Sequence, residues 1–221
     1  MKVIEAVARI LKTEGVEWIS CFPNNQLIEA VAKEGIRTIM FRQERGGLMA
    51  ADGFSRLNGR QKFGVTITQG GPGSENTMGG IAQAYADNIP ILYLPGGPTL
   101  AQYAVRPNFS PSRTYASVCK STEIITHPSQ VSSAMRRAFH NLRNGRGGPV
   151  LVEIPADVGE QEIAEGSLSY SPPKRYRQSP DAQDVKEAVS LLLNAKKPVS
   201  GLAWESCSPM PPRNSKSSQN S

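Results

Sequence analysis

Apolar and polar positions follow two alternating rhythms along this chain. Val3, Ala6, Val7, Ile10 and Leu11 recur at the three-and-four spacing of a helix with one buried face, and EWISCF (17–22) follows as a short buried strand. NNQLIEAVAKEG reads as a second helix, with Asn24 or Asn25 as its cap and Gly35 as its stop. RTIMF (37–41) is the next strand and residues 46–59 the next helix. FGVTIT (63–68) is a strand, a Gly-Pro turn leads to a helix around NTMGGIAQAYAD, and PILYLPG (90–96) is a fourth strand. SQVSSAMRRAFHNLRNG is a helix ending at Gly145, and PVLVEIP (149–155) is a further strand.

Short β-branched runs separated by helices of this length predict βαβ units and a parallel sheet covered on both faces. The expected fold is therefore a doubly wound α/β domain over residues 1–165, with ligands at the C-terminal ends of its strands. The composition then changes to SLSYSPPKRYRQSPDAQ, so 166–183 reads as a Pro/Ser/Arg linker. Residues 184–199 read as the truncated start of a second α/β domain, with Val185, Ala188, Val189, Leu192 and Leu193 on one helix face and KKPV as the entry to a strand. GLAWESCSPMPPRNSKSSQNS has no usable periodicity, and 200–221 is expected to be a tail.

Composition narrows the function classes. Hydrophobics at 38% and charged residues at 20% fit a globular chain, and no apolar run approaches the roughly 20 residues that span a bilayer. MKVIEAVARILKTEG carries Glu5 and Glu14 inside its apolar pattern and reads as an amphipathic helix rather than a signal peptide. Of the net charge of +6, residues 171–221 hold +4, with 8 basic and 4 acidic side chains. No clustered basic face with interleaved aromatics remains to suggest nucleic acid. Cys21, Cys119 and Cys207 are far apart and odd in number, which points to a reducing, cytoplasmic setting without a disulfide or zinc site. Two histidines, His127 and His140, are too few for a histidine metal cluster.

Two features carry the candidate chemistry. Glu44 stands just after a strand and at the mouth of an Ala/Gly-rich helix, and TQGGPGSEN lies between a strand and a helix. A Gly-rich βα turn lets backbone approach a ligand closely, and a helix N-terminus favours an anion. Neither GxGxxG nor GxxxxGK[ST] is met, so the dinucleotide and P-loop fingerprints are absent. Taken singly, Glu44 reads equally as an acid stabilised by the dipole of its helix, and the turn as a tight connection.

Taken together, Phe22-Pro23, Arg42-Gln43-Glu44, AADGFSR (50–56) and GGPG followed by Asn76 resemble the pyrimidine-binding domain of the thiamine diphosphate enzymes. The likeness is to the acetolactate synthase, benzoylformate decarboxylase and pyruvate decarboxylase type and covers about residues 1–160. It implies a thiamine diphosphate-dependent 2-oxo acid decarboxylase or carboligase. Glu44 is then the catalytic acid that hydrogen-bonds N1′ of the aminopyrimidine and favours its 4′-imino tautomer. Pro23, Gly71, Pro72, Gly73 and Asn76 match positions around the cofactor and the subunit interface. Two positions depart from the family pattern: Gln43 stands where a His is usual, and Cys21-Phe22-Pro23-Asn24 stands for Gly-x-Pro-Gly. The segment 97–127 would face substrate, and no role carries over to its Gln102 or Arg106.

The family's diphosphate and Mg²⁺ are held by a separate domain with a GDG…N motif, and no GDG occurs here. The resemblance therefore implies only the pyrimidine half of a site, with Mg²⁺ on a missing domain or on a partner. It leaves FAD undecided, and implies a homo-oligomer, such as a dimer, or a complementing diphosphate-domain subunit. Two expectations compete for that partial site: a natural small subunit of a split decarboxylase, or a frameshifted copy of a longer enzyme. Reading GLAWESCSP two bases on allows G-[LMV]-G-[VI] after KKPV, which favours an out-of-frame tail from about Ser200. A non-catalytic scaffold of the same fold is the remaining alternative.

Overall fold

The computed structural model describes residues 1–199 apart from 24, 60, 165, 177 and 178; the expected tail at 200–221 lies outside the described residues. Six strands, β1 (Trp18–Cys21), β2 (Arg37–Met40), β3 (Gly64–Thr68), β4 (Ile91–Gly97), β5 (Ser121–Ile124) and β6 (Val150–Pro155), form one sheet in the order β2-β1-β3-β4-β6-β5. Every pair is parallel. The central strands β3 and β6 are buried at every position, whereas β2 at one edge is partly exposed, as a sheet covered on both faces requires.

Helices α1 (Val3–Thr13), α2 (Gln26–Lys33) and α6 (Val131–Arg143) pack one core with Ile19, Val65, Leu92 and Val152. Helices α3 (Glu44–Leu57) and α4 (Pro72–Ala86) serve the other face, where Leu48, Ala51 and Ile81 meet Ile91, Tyr93 and Leu151. This is the doubly wound arrangement expected from the alternation of short apolar runs and amphipathic helices. α1 buries the predicted stripe, and the Lys2 N–H donates to Glu5 Oε2 at 2.9 Å to start it. Asn25 caps α2, whose chain reverses at Gly35 with φ +74°.

α3 lies flush against β3. A Cβ at Gly64 would sit 2.2 Å from the Ala51 carbonyl oxygen, so helix and strand meet there backbone to backbone. Ser55 seals the same contact: its hydroxyl lies 2.7 Å from the Pro90 carbonyl oxygen, and it accepts from the Gly64 N–H at 2.9 Å. On the outer side of α3, Arg56 binds Asp52 at 2.6 Å and Asp87 at 2.8 Å, tying the end of α3 to the end of α4. The AADGFSR motif thus has a packing role in this domain.

The first structural unit runs from Met1 to Lys174 and includes Leu168 and Tyr170, which pack against the core beside α1 and α6. The second begins at Arg175 and holds α8 (Ala182–Asn194); the four-residue α5 (Pro111–Thr114) and α7 (Ala156–Gly159) complete the helix numbering. Asp181 caps α8 through the N–H groups of Gln183 and Asp184, and Val185, Val189 and Leu192 are exposed along it. Among the described residues no helix is long and apolar enough to cross a membrane.

Candidate functional site

The site grows from two strand ends. β1 and β3 are neighbours at the point where the strand order reverses direction, the crevice an open parallel sheet offers to ligands. The Phe22 N–H donates to the Ile67 carbonyl at 3.2 Å, and Asn25 Nδ2 donates to the Thr68 carbonyl at 2.7 Å. Asn25 Oδ1 also accepts from the Leu27 N–H at 3.0 Å, so one side chain both caps α2 and stitches its loop to β3. Pro23 lies exposed in that loop, one strand away from the acid.

Glu44 is the first residue of α3 and only 8% exposed. The positive end of the helix dipole favours a carboxylate there, so the helix-start reading and the functional reading describe the same position. Its Oε2 accepts from Asn76 Nδ2 at 2.9 Å, which holds the carboxyl from α4. Among the described residues Oε1 has no hydrogen-bond partner. A Cβ on Gly73 would stand 3.0 Å from that oxygen and 2.6 Å from Gln69 Cγ, so the first turn of α4 packs onto the acid as closely as only glycine allows. Gly71, with φ +59°, turns the chain into α4, and Pro72 takes the first helical position, where its missing N–H has no cost.

Of the residues singled out from the sequence, Glu44, Gly73 and Asn76 come together, while Gly71 and Pro72 form the turn that delivers them. Pro23 makes no hydrogen bond to this cluster. The arrangement presents one anchored carboxyl oxygen and one without a partner among the described residues, on a helix start packed against glycine. The second oxygen can share a proton with a nitrogen heterocycle that reaches it.

Sequence reasoning missed the support beneath the turn. The Thr77 hydroxyl lies 2.7 Å from the Ser74 carbonyl oxygen and 2.8 Å from each of the Tyr93 and Tyr115 hydroxyls. Thr68 reaches Tyr93 at 2.9 Å, and the Tyr115 hydroxyl donates to the Ser74 carbonyl. All these side chains are buried, and burial pushes both tyrosine hydroxyls above their ordinary pKa, so they stay protonated donors. Burial likewise pushes the nearby Cys119 thiol up to about 12, which keeps it an inert core residue. The readable signal was polar residues on buried positions: Thr and Tyr inside otherwise apolar runs.

Glu153 was missed in the same way, although a Glu inside VLVEIP is visible as a charge in a central strand. It is fully buried; Oε2 accepts from the Ser112 N–H at 2.8 Å and Oε1 has no partner among the described residues. A Cβ at Gly97 would come within 2.7 Å of that orphan oxygen. Burial raises the Glu153 pKa against the lowering effect of its Ser112 and Tyr103 hydrogen bonds.

On the opposite face of the sheet, a cavity of about 190 Å³ lined by Asn25, Gln26, Gly70, Gly96 and Pro155 carries no charged side chain. Among the described residues no group of three or more His, Cys, Asp or Glu is arranged to hold a metal.

Comparison with known proteins bears on the same residues. Residues 1–117 match the family described as thiamine pyrophosphate enzyme, N-terminal TPP binding domain. The probable acetolactate synthase large subunit of Methanocaldococcus jannaschii is 31% identical over 212 residues, covering 90% of this chain and 35% of that protein. The acetolactate synthase large subunit of Lactococcus lactis is 31% identical over 204 residues, 88% of this chain and 35% of its own length. The glyoxylate carboligase of Escherichia coli O157:H7 is 30% identical over 206 residues, 90% of this chain and 34% of its own. The chain thus spans about a third of the length of these relatives.

Proposed function

Because the chain belongs to the thiamine pyrophosphate enzymes, as their N-terminal TPP binding domain, we propose that it forms the pyrimidine side of an acetolactate synthase-like 2-oxo acid decarboxylase or carboligase. The observation that carries this reading is the buried Glu44 carboxyl at the start of α3, anchored through Oε2 by Asn76 and with Oε1 left unpartnered among the described residues. The residues present fit an aminopyrimidine at the acid: a buried carboxyl with one oxygen held by Asn76 and the other left to meet a ring nitrogen.

In this reading Glu44 Oε1 holds a proton at the ring nitrogen N1′ of the cofactor. Asn76 fixes the carboxyl through Oε2, so that Oε1 keeps one direction. The buried hydroxyls of Thr77, Tyr93 and Tyr115 hold the Ser74 turn, and with it Gly73, at a fixed distance from the acid. In the same reading Pro23, Gly71 and Pro72 are further positions beside the cofactor, carried by the loops that follow β1 and β3. When bound, thiamine diphosphate supplies the electron sink for decarboxylation of the 2-oxo acid. A complementing domain or subunit holds the diphosphate and Mg²⁺, so the working site lies between two partners.

The experiment is reconstitution of the purified chain with a diphosphate-domain protein of an acetolactate synthase, reading cofactor-dependent CO₂ release from a 2-oxo acid. Glu44→Gln keeps the shape of the carboxyl but cannot exchange the proton. It should lower turnover at least about a hundredfold, the scale of general acid–base catalysis, while leaving the circular dichroism unchanged. Wild-type turnover in the Glu44→Gln pair would overturn the assignment.

A further inference from the structure

The segment between β4 and β5 encloses an open cavity of about 630 Å³, lined chiefly by Tyr103, Arg106, Asn108, Ser110, Arg113 and Thr114. Val105 and Pro107 complete the lining, so two arginines face one open space of mixed polarity. Arg106 makes no hydrogen bond or ion pair among the described residues. Arg113 makes none either, its guanidinium lying 4.8 Å over the Tyr103 ring. Arg113 acts through space on the buried Glu153, and the two form no ion pair among the described residues.

The support of Arg113 runs down into the sheet. The Tyr103 hydroxyl lies 2.6 Å from Ser110 Oγ and 2.7 Å from Ser112 Oγ, and it donates to Glu153 Oε2 at 3.4 Å. Glu153 is fully buried in β6 and also accepts from the Ser112 N–H. The aromatic face that carries Arg113 is thus braced from the core. Stacking uses the face of a guanidinium and leaves the N–H groups on its edge free to bind a carboxylate in bidentate fashion. Part of the ordering entropy that weakens a surface arginine is already lost here before any ligand arrives.

We propose that Arg106 and Arg113 form an oxyanion subsite that takes the second anionic group of a dianionic 2-oxo acid. The proposal rests on the 2-oxo acid reading given above and names the substrate class for it. The carboxylate that leaves as CO₂ loses its charge, so two arginines clamped on it would stabilise the ground state against the reaction. A group that stays charged throughout gains from them without that penalty. The hydroxyls of Ser110 and Thr114 and the amide of Asn108 complete a donor-rich lining of the kind that fixes a ligand's orientation.

The test is calorimetric titration of the full chain with 2-oxoglutarate, pyruvate and inorganic phosphate. 2-Oxoglutarate should saturate and bind at least about tenfold tighter than pyruvate, the effect of one charge-assisted contact. Arg113→Gln and Arg106→Gln should each weaken it by a similar factor, with unchanged circular dichroism and thermal midpoint. Arg106 is exposed and makes no hydrogen bond or ion pair among the described residues, so its variant keeps the test independent of folding. Equal binding of pyruvate and 2-oxoglutarate, or no loss in either arginine variant, overturns the subsite. Phosphate binding as tightly as 2-oxoglutarate overturns the substrate assignment, since the cavity is then a general anion surface. Turnover in the reconstituted enzyme without arginine-dependent binding sinks the subsite alone. Arginine-dependent binding in a pair that never responds to cofactor sinks the cofactor reading alone.

Discussion

At Gly73 a single hydrogen atom lets the first turn of α4 close onto the acid. Replacing it with a methyl group brings that carbon to 3.0 Å from Glu44 Oε1 and 2.6 Å from Gln69 Cγ, inside van der Waals contact. Gly73→Ala should therefore cost about 1–3 kcal/mol of stability, the usual scale of overpacking, which urea unfolding would read. It should also abolish cofactor-dependent turnover of the reconstituted pair. Glu153 gives the pH prediction. Its folded pKa is raised, so the folded state binds the extra proton and the stability it contributes is greatest below the unfolded pKa of about 4.3. That contribution falls as pH rises through the folded pKa. Urea midpoints measured from acid to neutral pH should fall less steeply in Glu153→Gln than in the wild type; parallel curves would remove the titration from Glu153. Glu44 itself was legible in the sequence as an acid at a strand-to-helix junction. Its partner Asn76 was legible only through the family likeness, because 32 residues separate two side chains that the fold brings to 2.9 Å.

At the scale of elements, the first turn of α4 rests on hydroxyls rather than on apolar packing. Removing the Tyr115 hydroxyl leaves the Ser74 carbonyl and Thr77 one partner short in a buried place. Tyr115→Phe should then cost roughly 1–2 kcal/mol, visible as a lower urea midpoint with unchanged slope. Asn25→Ala loses both a cap and the bridge to Thr68, and should cost about 1–2 kcal/mol in the same assay. Five of the six strands and the major helices were readable, because β-branched runs and three-and-four spacing survive in any one sequence. β5 was not: Ser121-Thr122-Glu123-Ile124 is a half-buried edge strand, specified by its pairing with β6 and not by any apolar run of its own. The start of α3 at Glu44 rather than Gly46 was hidden for a related reason. Gln43 makes no side-chain cap to announce it, and the extended backbone there is set by the end of β2.

At the scale of the molecule, the proposed pyrimidine side comes without any group of three or more His, Cys, Asp or Glu arranged to hold a metal among the described residues. Thiamine and thiamine diphosphate should accordingly bind the isolated chain alike, with no response to added Mg²⁺, and calorimetric titration would show it. A clear preference for the diphosphate would place a phosphate site in this chain. The doubly wound architecture was legible because every crossover leaves its own trace, whereas the hydroxyl network and the Glu153 brace arise only once β3, β4 and β6 lie side by side. One contact in that packing reaches further than its position suggests. At Gly64 the strand and α3 touch through bare backbone, 20 residues along the chain from Glu44 and at the other end of the helix's buried run. Any side chain there must lift the helix, and the acid rides on its first turn. A random-mutation screen for lost activity would thus return Gly64 alongside Glu44, and a geneticist mapping the hits would count as catalytic a residue that meets no substrate.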